Sequence, residues 1–128
     1  MNEKKELYLE YQLLTKEVQE MENTIVNINE HIITLKNLKD NLIELKKIKK
    51  NTETLIPLGK GVFFKGSFSD ANNVIMNIGA NICIEKTNIE AQKTIEEQMR
   101  ELLVFVDNID KELSNSFQKL NELEERLR

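Results

Sequence analysis

The chain has 128 residues, of which 31% are charged and 5% aromatic, with four glycines, one proline, one cysteine and a formal net charge of −4. That is the length of one domain, but so little aromatic and turn content disfavours a compact globule and favours a long coiled coil. The acidic balance lacks the basic footprint of nucleic-acid binding, the lone Cys83 cannot form an intramolecular disulfide, and no apolar run approaches membrane-spanning length.

The first residues, Met1-Asn2-Glu3-Lys4-Lys5-Glu6, lack the apolar run of a signal peptide. With a single cysteine, the expectation is a soluble cytoplasmic protein of a reducing compartment. Charge balances up to Lys50, and the excess acid follows Asn88, where a solvated helix face accounts for it.

From Leu7, apolar residues recur four and three apart: Leu7, Tyr11, Leu14, Val18, Met21, Ile25, Ile28, Ile32 and Leu35. Such a 3.5-residue period places a narrow seam on a helix, and a partner helix buries it. The helix is expected over residues 3–50. Leu38, Leu42 and Leu45 continue the pattern three residues out of step, which predicts local overwinding. Lys46, Lys47, Lys49 and Lys50 crowd its end, where cations complement the helix dipole.

Residues 54–86 differ in character, being rich in Val, Ile, Phe and Gly. Four short strands are predicted: 54–58, 62–68, 74–78 and 82–86. Gly59-Lys60-Gly61 and Gly79-Ala80-Asn81 are the turn signals. Pro57 places its strand at an edge or ends it, and Gly66 marks a bulge or a close approach. The segment reads as two successive hairpins. Thr87-Asn88-Ile89-Glu90 then matches a capping box and opens a second seam: Ile95, Met99, Leu102, Val106, Ile109, Leu113, Leu120, Leu123 and Leu127. This seam breaks at Ser116, beside Phe117. The predicted fold is α+β but mostly α, a single domain over 1–128. A helix (1–50) and a second helix (87–128) form a long antiparallel two-helix coiled coil. Two β-hairpins (54–86) lie at the end opposite the termini, and Met1 meets Arg128.

Isolated hairpins are marginal in water, and these carry apolar groups on both faces. Exposed strand edges and apolar faces are pairing surfaces. Ile56, Val62, Phe63, Phe64, Phe68, Val74, Ile75, Met76, Ile78, Ile82 and Ile84 are therefore expected at an oligomer interface, where hairpins of several chains join in a shared sheet or β-barrel hub.

Leu55-Ile56-Pro57-Leu58-Gly59 followed by Gly61-Val62-Phe63-Phe64-Lys65-Gly66 resembles the first hairpin of prefoldin alpha-type subunits. Val74-Ile75-Met76-Asn77-Ile78-Gly79-Ala80-Asn81, then Glu85-Lys86-Thr87 with Glu90-Ala91, is similar to their second hairpin and its passage into the last helix. The likeness covers the whole chain in architecture and residues 54–91 in motif. It implies a hexamer of two alpha and four beta-type subunits that captures non-native client proteins and passes them to a group II chaperonin. Client contact is expected at the coiled-coil tip, an uncapped end that frays, where Leu7, Tyr8 and Tyr11 meet Leu120, Leu123 and Leu127. An extended C-terminal tail beyond Leu127, as the family can carry, is missing from this sequence.

No enzyme chemistry is legible. Gly59-Lys60-Gly61 lacks the rest of a phosphate loop, His31 has no partners for metal or catalysis, and Cys83 reads as a small apolar group. No cofactor, no metal, no nucleic acid and no membrane partner is expected. Two other functions fit the same pattern: a structural or adapter coiled coil that self-assembles through its hairpins into homo-oligomers or filaments, and a scaffold subunit of a prefoldin-like regulatory complex.

Overall fold

Sustained heptads without internal glycine or proline give two long helices, and the Gly-containing turns between them give two hairpins. In the computed structural model, which describes residues 2–128, the order is α1 (Asn2–Lys46), β1 (Glu53–Gly59), β2 (Val62–Ser67), β3 (Asn73–Gly79), β4 (Ile82–Thr87) and α2 (Asn88–Leu127). The expected meeting of Met1 with Arg128 involves a residue outside the described ones. The chain divides into two compact units, one of Met1–Ile33 with Arg100–Arg128 and one of Thr34–Met99.

In the first unit the two helices run antiparallel. Tyr11 reaches Glu124, Met21 lines a groove with Ile109, and Ile28 lines another with Leu102. Val18, Ile109 and Leu123 are buried in the seam. So is Ser116, while Phe117 turns outward. The break at Ser116 is thus one of composition and not of register: a hydroxyl occupies the seam position three residues after Leu113.

In the second unit Leu35, Leu42, Ala91 and Ile95 form the core. Lys39, not Leu38, takes the seam position: Lys39 is half-buried and Leu38 exposed. Four-three alternation through Leu35, Lys39 and Leu42 is thereby kept. The aliphatic stem of Lys39 fills the seam while its ammonium reaches out, ending 2.9 Å from a carboxylate oxygen of Glu96.

α1 stops at Lys46, short of the expected Lys50. Its last turn tightens, with Lys47 N–H donating to the Glu44 carbonyl and Ile48 N–H to that of Leu45. Asn51 then adopts φ +68°, a conformation Asn tolerates better than most residues. The Asn51 N–H donates to the Phe68 carbonyl, and Phe68 N–H to that of Thr52, extending the first hairpin beyond its strands.

The hairpins are two separate two-stranded antiparallel sheets, β1–β2 and β3–β4. They share one design twenty residues apart. Glu53 pairs with Ser67 as Asn73 does with Thr87, and Gly59 pairs with Val62 as Gly79 does with Ile82. Both have a bulge just before the turn, between Pro57 and Gly59 and between Asn77 and Gly79. Both turns have positive φ at each central residue, at Lys60-Gly61 and at Ala80-Asn81, the primed geometry that matches strand twist. β1 continues through Pro57, which an edge strand permits. Gly66 holds no bulge but allows a close approach: a Cβ there would meet Ile56 Cδ1 at 2.9 Å. Between the hairpins, Asp70 accepts from the Asn72 N–H at 2.8 Å and the Asn73 side-chain amide at 2.6 Å. The Asn72 N–H, then the Asn73 amide, holds its carboxyl below the usual range.

At the start of α2, Glu90 N–H donates to Thr87 Oγ1 at 3.1 Å, the N-cap half of the expected capping box. The next residue was less legible. Asn88 is fully buried. Its Nδ2 donates to the Leu42 carbonyl of α1 at 2.9 Å and to the Ala71 carbonyl of the inter-hairpin loop at 3.3 Å. Its Oδ1 accepts from Gln92 Nε2 at 2.6 Å, and its N–H donates to the Asn72 carbonyl. One side chain thus ties helix, loop and helix. Asn88→Leu would leave these buried groups without partners, and we expect a loss of about 2–3 kcal/mol, read by urea unfolding at fixed protein concentration.

Candidate functional site

Of the surfaces whose apolar residues the chain leaves exposed, two hold the residues expected from the sequence. The first is the hairpin pair. On β1–β2 nearly everything is exposed, including Leu55, Ile56, Leu58, Val62, Phe63 and Phe64. Ile56 pairs with Phe64 and Pro57 with Phe63. Paired residues share a face and neighbours alternate, so both faces of this hairpin bear aromatic mass. Phe68, just beyond, is half-buried.

On β3–β4 the two faces differ. Val74, Met76 and Ile84 lie on one face and are half-buried. Ile75 lies on the other and is 76% exposed. Ile78 and Ile82 at the turn end are exposed too. A groove of about 270 Å³ is lined by Leu38 and Leu42 of α1, Val74, Ile75, Met76 and Asn77 of β3, and Ala91 and Ile95 of α2. The second hairpin is therefore seated beside the helix pair, whereas the first offers both sides. Each sheet has only two strands, so each strand has one unpaired edge. Cys83 is exposed on β4 opposite Asn77. The expected interface residues all fall on these hairpins or at their margins. Leu55 and Leu58, passed over as plain strand residues, add to the same surface, and their apolar, exposed character is the signal that would have included them.

The second surface lies where the N-terminal part of α1 meets the C-terminal part of α2. The six residues expected there do not share one environment. Leu123 is buried; Leu7, Tyr11, Leu120 and Leu127 are half-buried; Tyr8 is 56% exposed. Asn2, Lys4, Lys5, Tyr8 and Leu127 line an open groove of about 690 Å³. It has an apolar floor and a cationic rim. Lys4 and Lys5 escaped the seam-based reading because they are charged, although Lys4 stands three residues before Leu7 on the same four-three spacing. The Tyr11 hydroxyl donates to Glu124 Oε1 at 2.9 Å and clasps the two helices. That hydrogen bond, and then the carboxylate's charge, raises the Tyr11 pKa.

Among the described residues, no group of three or more His, Cys, Asp or Glu could hold a metal ion. No helix among them is long and apolar enough to cross a membrane.

The family model described as prefoldin subunit matches residues 14–128. Prefoldin subunit alpha of Methanococcoides burtonii is 32% identical over 71 residues, covering 56% of this chain and 51% of that protein. Prefoldin subunit alpha 2 of Thermococcus kodakarensis is 34% identical over 71 residues, covering 56% and 50%. The chain thus spans about half the length of the curated relatives it matches. Among solved structures, filamentous PFD from Methanocaldococcus jannaschii superposes with a TM-score of 0.77 at 22% identity, covering 88% of this chain and 93% of that one. Its likeness is one of fold: two long helices and two hairpins.

The Tyr11–Glu124 clasp has a pH signature. A raised folded-state value means its contribution is whole below the ordinary tyrosine pKa of about 10 and is lost as pH rises through the raised value. In an absorbance titration of the phenols, Tyr11→Phe should remove a late-ionising component, and Glu124→Gln should shift that component down.

Proposed function

The chain belongs to the prefoldin family as an alpha-type subunit, and from that premise we propose that it serves an ATP-independent chaperone that holds non-native proteins. The hairpins join it to beta-type subunits, two alpha with four beta, and the helix pair carries client contact at its free end. Delivery to a group II chaperonin and work in the cytoplasm complete the proposal.

One observation carries it: large apolar side chains stand exposed on both faces of the β1–β2 hairpin and on the outward face of β3–β4. Leaving that surface in water is costly, at about 25 cal/mol per Å² of apolar area. Strands from neighbouring subunits relieve it. The helix pair, by contrast, buries its own seam and needs no assembly partner there. Its exposed end remains for clients.

Discrimination needs no nucleotide. A folded protein hides its apolar residues and an unfolded one presents them, so burial alone separates the two. Several weak ends on one assembly hold a client by avidity. The tip residues that pack the seam are near a helix end, where local opening is easiest, so they exchange seam contacts for client contacts at low cost.

The test is suppression of aggregation of a chemically unfolded protein by the assembled complex. Removing residues 1–12 together with 118–128 should abolish suppression and leave the mass of the complex unchanged apart from the deletion. Suppression equal to that of the parent would refute the tip as the client surface. Sedimentation of the isolated chain gives a second check. It should not behave as a monodisperse folded monomer at low concentration, because its hairpins need outside strands. If the isolated chain forms folded homo-oligomers or filaments and lacks suppressing activity, the structural-adapter function replaces the holdase.

A further inference from the structure

In the unit formed by Met1–Ile33 and Arg100–Arg128, a third apolar surface lies off the seam and apart from the tip residues. Leu103, Val104 and Phe105 are 55%, 58% and 51% exposed, and on α1 Val26 and Ile33 are exposed as well. The seam residues on either side of the trio, Leu102 and Val106, are half-buried, so the trio occupies the rows of α2 that turn from α1.

The surroundings are acidic to a degree that whole-helix charge sums conceal. Between Lys16 and Lys36, α1 carries Glu17, Glu20, Glu22 and Glu30 and no lysine or arginine. From Arg100 to Glu112, α2 carries Glu101, Asp107, Asp110 and Glu112 against Arg100 and Lys111. Lys111 is in turn engaged by Asp107 at 3.2 Å. The tip groove differs in sign, being lined by Lys4 and Lys5.

The spacing of the trio limits what can dock on it. Three consecutive residues fan over about 200° of a helix circumference. A partner helix reads a stripe at i, i+3 or i+4, and i+7. The positions one turn on from Val104 are Asp107 and Asn108, so no such stripe exists. A second rigid coiled coil would cover one of the three rows and leave the others wet. A flexible extended chain can wrap a convex surface of this kind, and the carboxylates favour one with cationic flanks.

We propose that this acidic middle stretch of the helix pair is a second client-binding surface, specific for extended, non-native segments in which apolar residues are flanked by lysine or arginine. The inference rests on the holdase function above and adds a substrate class and a site to it. Such a site sorts clients by charge in the sense opposite to the lysine-rimmed tip groove.

The test uses the assembled protein and two fluorescent synthetic peptides with a common Leu- and Phe-rich centre, one flanked by Lys and one by Glu. By anisotropy, the Lys-flanked peptide should bind roughly tenfold tighter, and the difference should shrink as added salt shortens the Debye length. Leu103→Gln, Val104→Gln and Phe105→Gln together should weaken the Lys-flanked peptide by roughly tenfold, with helix content and complex mass unchanged. Gln is chosen because it keeps helix propensity. A photoreactive residue in place of Val104 should crosslink the Lys-flanked peptide, which checks the site without depending on the triple variant. Equal binding of the two peptides, unchanged binding by the triple variant, or a changed complex mass that marks the face as a subunit contact would each overturn the proposal. If the parent suppresses aggregation and only these peptide results fail, this surface alone is refuted. If the parent suppresses nothing, the holdase function itself falls.

Discussion

Asn88 is the constraint on which the hairpin-bearing unit depends. A fully buried amide with three side-chain hydrogen bonds does not tolerate sliding. Apolar seams are permissive, since Leu on Leu packs nearly as well one heptad away. A buried amide is not, because each shifted register strands a donor or an acceptor at a cost of about 1–3 kcal/mol. By bonding to the Leu42 and Ala71 carbonyls, Asn88 sets where α2 begins relative to α1 and where the inter-hairpin loop sits relative to both. Lys39 and Glu96 reinforce that register one and two turns further along, with a partly exposed ion pair that adds little energy but has one geometry.

With the helices so indexed, the hairpins are left to face outward. Their twenty-residue repeat gives the chain two joints of one design, differing in what they offer. β3–β4 rests Val74, Met76 and Ile84 toward its own unit and presents Ile75 outward, while β1–β2 presents both faces. A two-stranded sheet with apolar groups on both sides is incomplete as an isolated object. Stability and assembly are therefore linked in this chain: whatever adds strands to the hairpins also stabilises their fold.

Much of this was legible in the residues. The heptads marked both helices, the Gly-containing turns marked both hairpins, and Thr87 with Glu90 marked the cap. What the residues concealed has a common physical cause, since it depends on groups distant in sequence. Lys39 in a seam is invisible to a hydrophobic pattern, so Leu38 seemed the better seam residue. Once Glu96 is placed opposite, the lysine is the natural occupant. Asn88 looked like an ordinary first-turn residue because Leu42 and Ala71, its partners, lie 46 and 17 residues away. Ser116 looked like a break because a period search scores polarity and not position. Leu103, Val104 and Phe105 were overlooked for the opposite reason: they are apolar, but the period excludes them.

For the holdase function proposed above, the separation of these surfaces bears on how a bound client would be released. A single deep apolar pocket would hold an unfolded chain tightly, and without nucleotide hydrolysis nothing would lower that affinity. Shallow sites of different character avoid this. The tip groove is open and rimmed by Lys4 and Lys5. The apolar trio of α2 is convex and flanked by carboxylates. In that proposal each contact would be weak and open quickly, and a client would stay bound only while several are engaged together. A client that begins to fold withdraws its apolar segments one by one, and affinity falls steeply with the number of engaged sites. Release then follows from the client's own folding, and the energy source is the burial that the client completes within itself.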